Sequence, residues 1–331
     1  MNKFLIIGLG SMGKRRIRCL KALGFDREII GFDLRADRRE EAQNKYGVKT
    51  IAEIEHLNFD EIKAVIVSLP PDKHALGAKV AIDHNKPVFI EASVVLEDVL
   101  EIQAYNQANV FVAPSCTLFF HPIIKEIKAI VLSGKYGRVT NFSYHSGQYL
   151  PDWHPWEDVK DYYVSNRVTG GAREIVPFEL TWITDIIGMP QDIKGVFAKT
   201  MDCKADIEDS YAFTLKFKNA IGSMIVDVAA RYATRNLVIN LENAQIQWRW
   251  DEGKMRIYEA ASPSWIEYKQ PESKPVAGYN VNINENMYVE ELQAFLEGIK
   301  DRKQYPNTIE GDIAILKLLK AVEDSDGGFD R

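Results

Sequence analysis

The chain of 331 residues carries 41 Lys and Arg against 47 Asp and Glu, with a sequence pI near 5.7. That length exceeds one ordinary core and predicts two domains, and the mild acidity argues against nucleic acid as a partner. Cys19, Cys116 and Cys203 are few and far apart with no CxxC, as in a reducing cytoplasm, and no apolar run approaches the roughly twenty residues of a membrane span.

Phe4 to Ile7 is an uninterrupted apolar run, the pattern of a parallel strand buried on both faces, and it empties into Gly8-Leu9-Gly10-Ser11-Met12-Gly13. Ile17, Leu20 and Leu23 follow at helical spacing up to Gly24, and a second strand from Glu28 to Phe32 ends on Asp33, twenty residues beyond Gly13. GxGxxG between two strands with an acid at that distance is the dinucleotide-binding pattern. Gly8 permits the tight turn, Gly10 lets a pyrophosphate approach and Gly13 lets helix pack on strand. The helix N-terminus, with Ser11 and Met12 in its first turn, supplies N–H donors, and Asp33 is placed to accept from a ribose diol.

Lys14, Arg15 and Arg16 fall in the same first turn, where cations oppose the helix dipole unless an anion is bound; solvated surface charge is the alternative. A carboxylate beside a 2′-phosphate costs roughly 4 kcal/mol per charge at 4 Å and an effective dielectric of 20, which favours NAD. Arg35, Arg38 and Arg39 follow closely enough to offset that cost, so NADP stays open.

Strand and helix then alternate. A charged helix runs from Asp37 to Tyr46, with strands at 48–51 and 64–68, the second closed by Leu69-Pro70-Pro71. A helix from His74 to His84, a strand ending at Glu91, a helix from Leu96 to Ala108, a strand at 110–113 and a helix from Pro122 to Leu132 closed by Gly134 complete a parallel doubly wound sheet to about residue 120. Ligands sit beyond the carboxyl ends of such strands, which singles out Ser68, Leu69, Pro70, His74, Glu91, Ser93 and Ser115. From Arg138 the pattern changes to period two, at 139–149, 211–218, 222–230, 237–241, 244–250 and 254–259, with hairpin turns at Asn219-Ala220 and Asp251-Glu252-Gly253. This predicts a large, mostly antiparallel sheet with one covered face, followed by amphipathic helices at 287–299 and 309–322. The expected division is residues 1–120, a dinucleotide-binding domain, and 121–331, an α/β substrate and oligomerisation domain.

The GLGSMG opening, Asp33, LPPDKH, KPVFIEAS, GKYGRV and MYVEELQAFLEGIKD together resemble the Gfo/Idh/MocA family of NAD(P)-dependent sugar and inositol dehydrogenases over nearly the whole chain. The resemblance implies a Rossmann domain followed by an α/β domain whose open sheet builds dimers or tetramers. It implies pyrophosphate binding at Gly8, Gly10 and Gly13, adenosine ribose at Asp33, the cofactor edge at Pro70 and His74, and the nicotinamide ribose at Glu91. Where the family has the lysine of EKP this chain has Ala92, and the later DxGxH segment falls on Glu174-Ile175-Val176-Pro177-Phe178, with phenylalanine at the histidine position. The arginine of NxRFxP falls on Phe119. The family's proton-moving residues therefore do not transfer.

Removing a hydride from a carbinol needs a base within hydrogen-bond reach of the hydroxyl. Candidates come from the stretch 143–156 and from 170–174, dense in aromatic and polar side chains of the kind that stack on a sugar and bond its hydroxyls. His154, His145 and Glu174 are the candidate proton carriers; Arg173, Trp153, Tyr149 and Glu179 are candidate substrate contacts. Arg173 is placed to clamp a carboxylate or phosphate, or else to make an internal ion pair; the aromatics alternatively just pack the loop. Asp152, His154, Glu157 and Asp158 lack any metal-binding spacing, and no metal is expected. The reading is a cytoplasmic NAD(P)-dependent oxidoreductase for a sugar, sugar acid or nucleotide sugar, a homodimer or homotetramer with no nucleic-acid or membrane partner. The alternatives are a cofactor-binding sensor or partner subunit without turnover, and an enzyme that recycles bound NAD in a net non-redox reaction.

Overall fold

The opening apolar run forms β1 (Lys3–Ile7) in the computed structural model, which describes residues 3–153, 158–271 and 285–326. Phe4, Leu5 and Ile6 lose all contact with solvent because strands flank β1 on both sides and helices cover both faces. The chain divides into two compact units, residues 1–117 with 286–314, and residues 118–285 with 315–331.

The first unit alternates β1, α1 (Ser11–Ala22), β2 (Ile29–Phe32), α2 (Ala36–Tyr46), β3 (Lys49–Ile51), β4 (Ile62–Val67), α3 (His74–Asp83), β5 (Val88–Ile90), α4 (Leu96–Tyr105) and β6 (Val112–Pro114). Its six strands are all parallel, in the order β3-β2-β1-β4-β5-β6. The order reverses between β1 and β4, which opens a crevice above the carboxyl ends of those strands.

Sequence division at residue 120 omits a later segment of this unit. Helix α7 (Glu285–Gly298) packs here through Phe295, whose ring meets Phe89 at 5.8 Å and Phe111 at 5.8 Å. An amphipathic helix declares that it has a buried face, but its sequence does not say which core receives it.

The second unit holds α5 (Pro122–Ser133), β7 (Val139–Tyr149), α6 (Ala172–Ile187), β8 (Asp192–Ala198), β9 (Ser210–Lys216), β10 (Ile221–Asp227), β11 (Ala229–Leu241), β12 (Ala244–Arg249), β13 (Lys254–Glu259) and β14 (Ser264–Lys269). These strands form one sheet in the order β14-β13-β12-β11-β7-β10-β9-β8, antiparallel except where β7 pairs with β10. Phe142, Tyr144 and Ser146 of β7, with Tyr211, Phe213 and Leu215 of β9, face the covered side, where the Tyr144 ring meets Trp182 of α6 edge-on at 5.2 Å. Alternation puts Ser143 and His145 on the opposite, open face. Helix α8 (Ile309–Ser325) closes the described chain.

Three elements escape the sequence pattern. Strands β8 and β14 are the two edges of the large sheet, where fewer residues are buried and the alternation fades. Helix α6 carries Pro177 in its second turn, which removes a ladder bond and masks the helical period.

Candidate active site

In the first unit the glycine turn follows from β1 ending on Ile7. Gly8 takes φ +95, and a side chain there would collide with the Ser68 carbonyl; one at Gly13 would collide with the Gly8 carbonyl. Gly10 differs. A Cβ on it would meet nothing nearer than the Arg38 guanidinium at 3.7 Å, so the chain's own packing does not require glycine there and the space over the turn is open. No acid occupies the first turn of α1 and no side chain caps it, so the residues present fit a bound diphosphate.

Asp33 is buried at the end of β2, where its carboxylate accepts from the Leu9 N–H at 2.8 Å and the Arg35 N–H at 2.9 Å. The Arg35 side chain turns to Asp37, Arg39 donates to the carbonyls of Asp33 and Leu34, and Arg38 lies 3.6 Å from Asp33. Pairing with Arg35 holds the Asp37 carboxyl down at about 2.

After β4, Ser68 donates to Glu91 at 3.1 Å, and Pro70 precedes a short turn. His74 is buried with its Nε2 3.1 Å from the Leu69 carbonyl, and burial lowers its pKa to about 4, so a neutral ring pins that loop. At the ends of β5 and β6, Glu91 and Ser115 belong to a buried network. Arg16 is entirely buried: its Nε and Nη2 reach the two oxygens of Glu91 at 2.7 Å each, and its Nη1 reaches Glu291 of α7 at 2.8 Å. Glu291 also accepts from the Ser115 hydroxyl, the Cys116 N–H and the Thr117 hydroxyl. Arg16 is thus an interior cation, neither a phosphate ligand nor a surface charge. Lys14 pairs with Glu41 at 2.7 Å.

In the second unit the candidates separate. His145 stands on the open face, 2.6 Å from Asp227, beside a depression lined by Ser143, Ser223, Ile225, Asn236 and Val238. Helix α6 lies on the other face, so His145 is not brought to Glu174. Glu174, in the first turn of α6 after Gly171, accepts from the Tyr163 hydroxyl at 2.8 Å on one oxygen. The residue is partly exposed, yet its Oε2 is buried and has no partner among the described residues. Burial, tempered by Tyr163, raises its pKa to about 7.

Three of the remaining candidates, Arg173, Glu179 and Tyr149, are engaged. Arg173 forms an internal ion pair, Nε to Glu323 at 2.7 Å and Nη2 at 3.3 Å, the alternative to a substrate clamp in its sequence reading. Glu179 is fully buried and accepts from Tyr144, Trp182, Ser146 and Arg235 at 2.7–2.9 Å, so its lone pairs are satisfied within the fold. The Arg231 guanidinium lies 3.9 Å over the Tyr149 ring, and the Trp153 Nε1 is buried without a partner among the described residues. His154 lies outside the described residues.

Sequence reasoning missed Glu291, the pairing of Tyr163 with Glu174, and Asp312. The last sits near Ser93 in the opening turns of α8, the part that belongs to the first unit, and burial raises its pKa to about 7. Glu291 did leave a signal, an acid within the apolar stripe Met287, Tyr288, Leu292 and Phe295. Among the described residues no group of His, Cys, Asp and Glu could hold a metal ion, and no helix is long and apolar enough to cross a membrane.

The strand order, glycine turn and Asp33 define the first unit as a Rossmann dinucleotide-binding fold, joined to an α/β unit built on a large open sheet. The model of an oxidoreductase family with an NAD-binding Rossmann fold matches residues 2–109, and that of the GFO/IDH/MocA C-terminal domain matches residues 124–247. The chain belongs to the GFO/IDH/MocA family of NAD(P)-dependent oxidoreductases.

Among curated proteins no sequence matches. Solved structures of similar fold include an oxidoreductase from Agrobacterium radiobacter in complex with NAD+, L-tartaric acid and magnesium (TM-score 0.82, 13% identity, 98% of this chain and 95% of that one). A levoglucosan dehydrogenase in complex with NADH and levoglucosan is similar at TM-score 0.81 and 14% identity, over 98% and 96% of the two chains. GenD2 from gentamicin A biosynthesis, in complex with NAD, is similar at TM-score 0.78 and 16% identity, over 98% and 93%.

Proposed function

We propose that the protein is an NAD-dependent dehydrogenase of a sugar, sugar acid or nucleotide sugar, with Glu174 as the group that takes the hydroxyl proton. The observation that carries this is the Glu174 carboxyl, half paired by Tyr163 and titrating at about 7, where it can both accept and release a proton at neutral pH. A bound nicotinamide supplies the hydride acceptor. The chain's own part is to seat the diphosphate on the Gly8–Gly13 turn, to meet the adenosine ribose with Asp33, and to hold the proton on Glu174. A carboxylate at Asp33, with Arg35 turned to Asp37 and Arg39 bonded to backbone carbonyls, favours a 2′-hydroxyl over a 2′-phosphate, Arg38 at 3.6 Å from Asp33 being the one of the three arginines placed to offset it. A sugar-like substrate is supported by the aromatic side chains of Tyr149, Trp153 and Tyr163, and by the levoglucosan bound to the similar dehydrogenase. The same reading has the protein assemble as a dimer or tetramer through the open sheet face, where Ile221 and Ile225 are exposed.

The engagement of Arg173 and Glu179 in internal networks favours a second reading, a cofactor-binding protein without turnover. Absorbance at 340 nm, followed by stopped flow across a panel of sugars, sugar acids and nucleotide sugars, separates the two. Reproducible NADH formation that falls at least a hundredfold in Glu174→Gln supports the dehydrogenase. No hydride transfer with any of them, despite cofactor binding, supports the silent protein.

A further inference from the structure

We infer that Glu291, a wholly buried carboxylate of α7, sets the preference of the site for the oxidised over the reduced nicotinamide nucleotide. This rests on the cofactor reading above. The dinucleotide fold has two halves, and Asp33 at the end of β2 marks the adenosine half. The other half, which holds the redox-active ring, therefore lies over the ends of β4, β5 and β6, at Ser68, Glu91 and Ser115. A continuous set of contacts runs beneath it: Gly8 packs on the Ser68 carbonyl, Ser68 donates to Glu91, Arg16 bridges Glu91 to Glu291, and Ser115 donates to Glu291.

In this triad one guanidinium serves two carboxylates. Arg16 pairs with both oxygens of Glu91 and spends a single N–H on Glu291, whose other donors, Ser115, Cys116 and Thr117, are neutral. The next cation, Arg15, lies 4.3 Å over the Tyr288 ring. Glu291 is wholly buried, so its field is screened far less than that of a surface charge. The oxidised ring is a cation and the reduced ring is neutral. A fixed interior carboxylate beneath that half therefore stabilises the first relative to the second, and neutralising it alone removes the difference.

The test is the ratio of NADH to NAD+ dissociation constants, read by fluorescence and calorimetric titration of the full chain. Glu291→Gln keeps the shape and an acceptor for Ser115 and Cys116, which share one oxygen; it is expected to lower the ratio on the order of tenfold, the effect of one buried charge at an effective dielectric of about 20. Glu291→Met removes the same charge and is expected to lower the ratio as well, which keeps the test open should either variant fail to fold. Thr117→Val removes a hydrogen bond to Glu291 without changing charge and leaves the ratio unchanged. Equal loss of both affinities in Glu291→Gln, or an unchanged ratio in whichever charge variant folds, overturns the inference. A wild-type chain that binds neither nucleotide would instead defeat the cofactor reading itself.

Discussion

Arg16 and Glu291, 275 residues apart in sequence, meet at 2.8 Å in the interior of the first unit, each without any exposed side-chain surface. Each occupies the apolar stripe of its own helix, Arg16 beside Gly13, Ile17 and Leu20, and Glu291 beside Tyr288, Leu292 and Phe295. Phe89 and Tyr288 face the guanidinium, at 4.4 and 5.5 Å. The pair ties α7 to α1 and fixes the carboxylate that ends β5.

Removing the cation alone is costly, since two buried carboxylates then lack a counter-charge. Arg16→Met is expected to lower unfolding stability by about 3–5 kcal/mol in urea titration. A loss under 1 kcal/mol would mean that the network is not an interior ion cluster.

The two glycines of the turn have different jobs, and alanine separates them. Gly10→Ala should leave the melting temperature within about 2 °C of wild type, because its Cβ enters open space, while weakening NAD+ binding at least tenfold. Gly13→Ala should cost about 1–3 kcal/mol of stability, because its Cβ strikes the Gly8 carbonyl. Equal melting temperatures for the two variants would contradict this assignment.

Stability depends on pH through Asp312, whose pKa burial raises to about 7 from an ordinary 3.8. The unfolded chain releases this proton near 3.8 and the folded chain only near 7, so the folded state binds more protons in between and loses stability as pH rises through that window. Asp312→Asn should be nearly neutral around pH 4 and stabilising at pH 8, by up to about 4 kcal/mol. A variant equally stable to wild type at both pH values would show that the carboxyl is not held in an apolar setting.

What the residues reveal on their own is local. The glycine turn, Asp33 and the strands between them sit within thirty-three residues of one another, and their spacing carries both fold and cofactor site. Period two likewise exposes the central strands β7, β9 and β10, but fails at the edge strands β8 and β14, which bury less. The pairs Arg16–Glu291, Arg173–Glu323 and Glu179–Arg235 join residues 56 to 275 positions apart. A charge on an apolar stripe announces that a partner exists, and only the tertiary structure supplies it. Glu174 was legible as a carboxyl in a suggestive place; its raised pKa comes from burial and from Tyr163, which spacing does not encode.

The central claim is that Glu174 carries the proton of hydride transfer. The most direct measurement is the pH dependence of single-turnover NADH formation at saturating NAD+ and sugar substrate, in wild type and Glu174→Gln. The account predicts a wild-type rate that rises through an apparent pKa of about 7 as the carboxyl becomes a base, and a slow, pH-independent rate in the variant. A variant that retains the wild-type rate and the same inflection would contradict it.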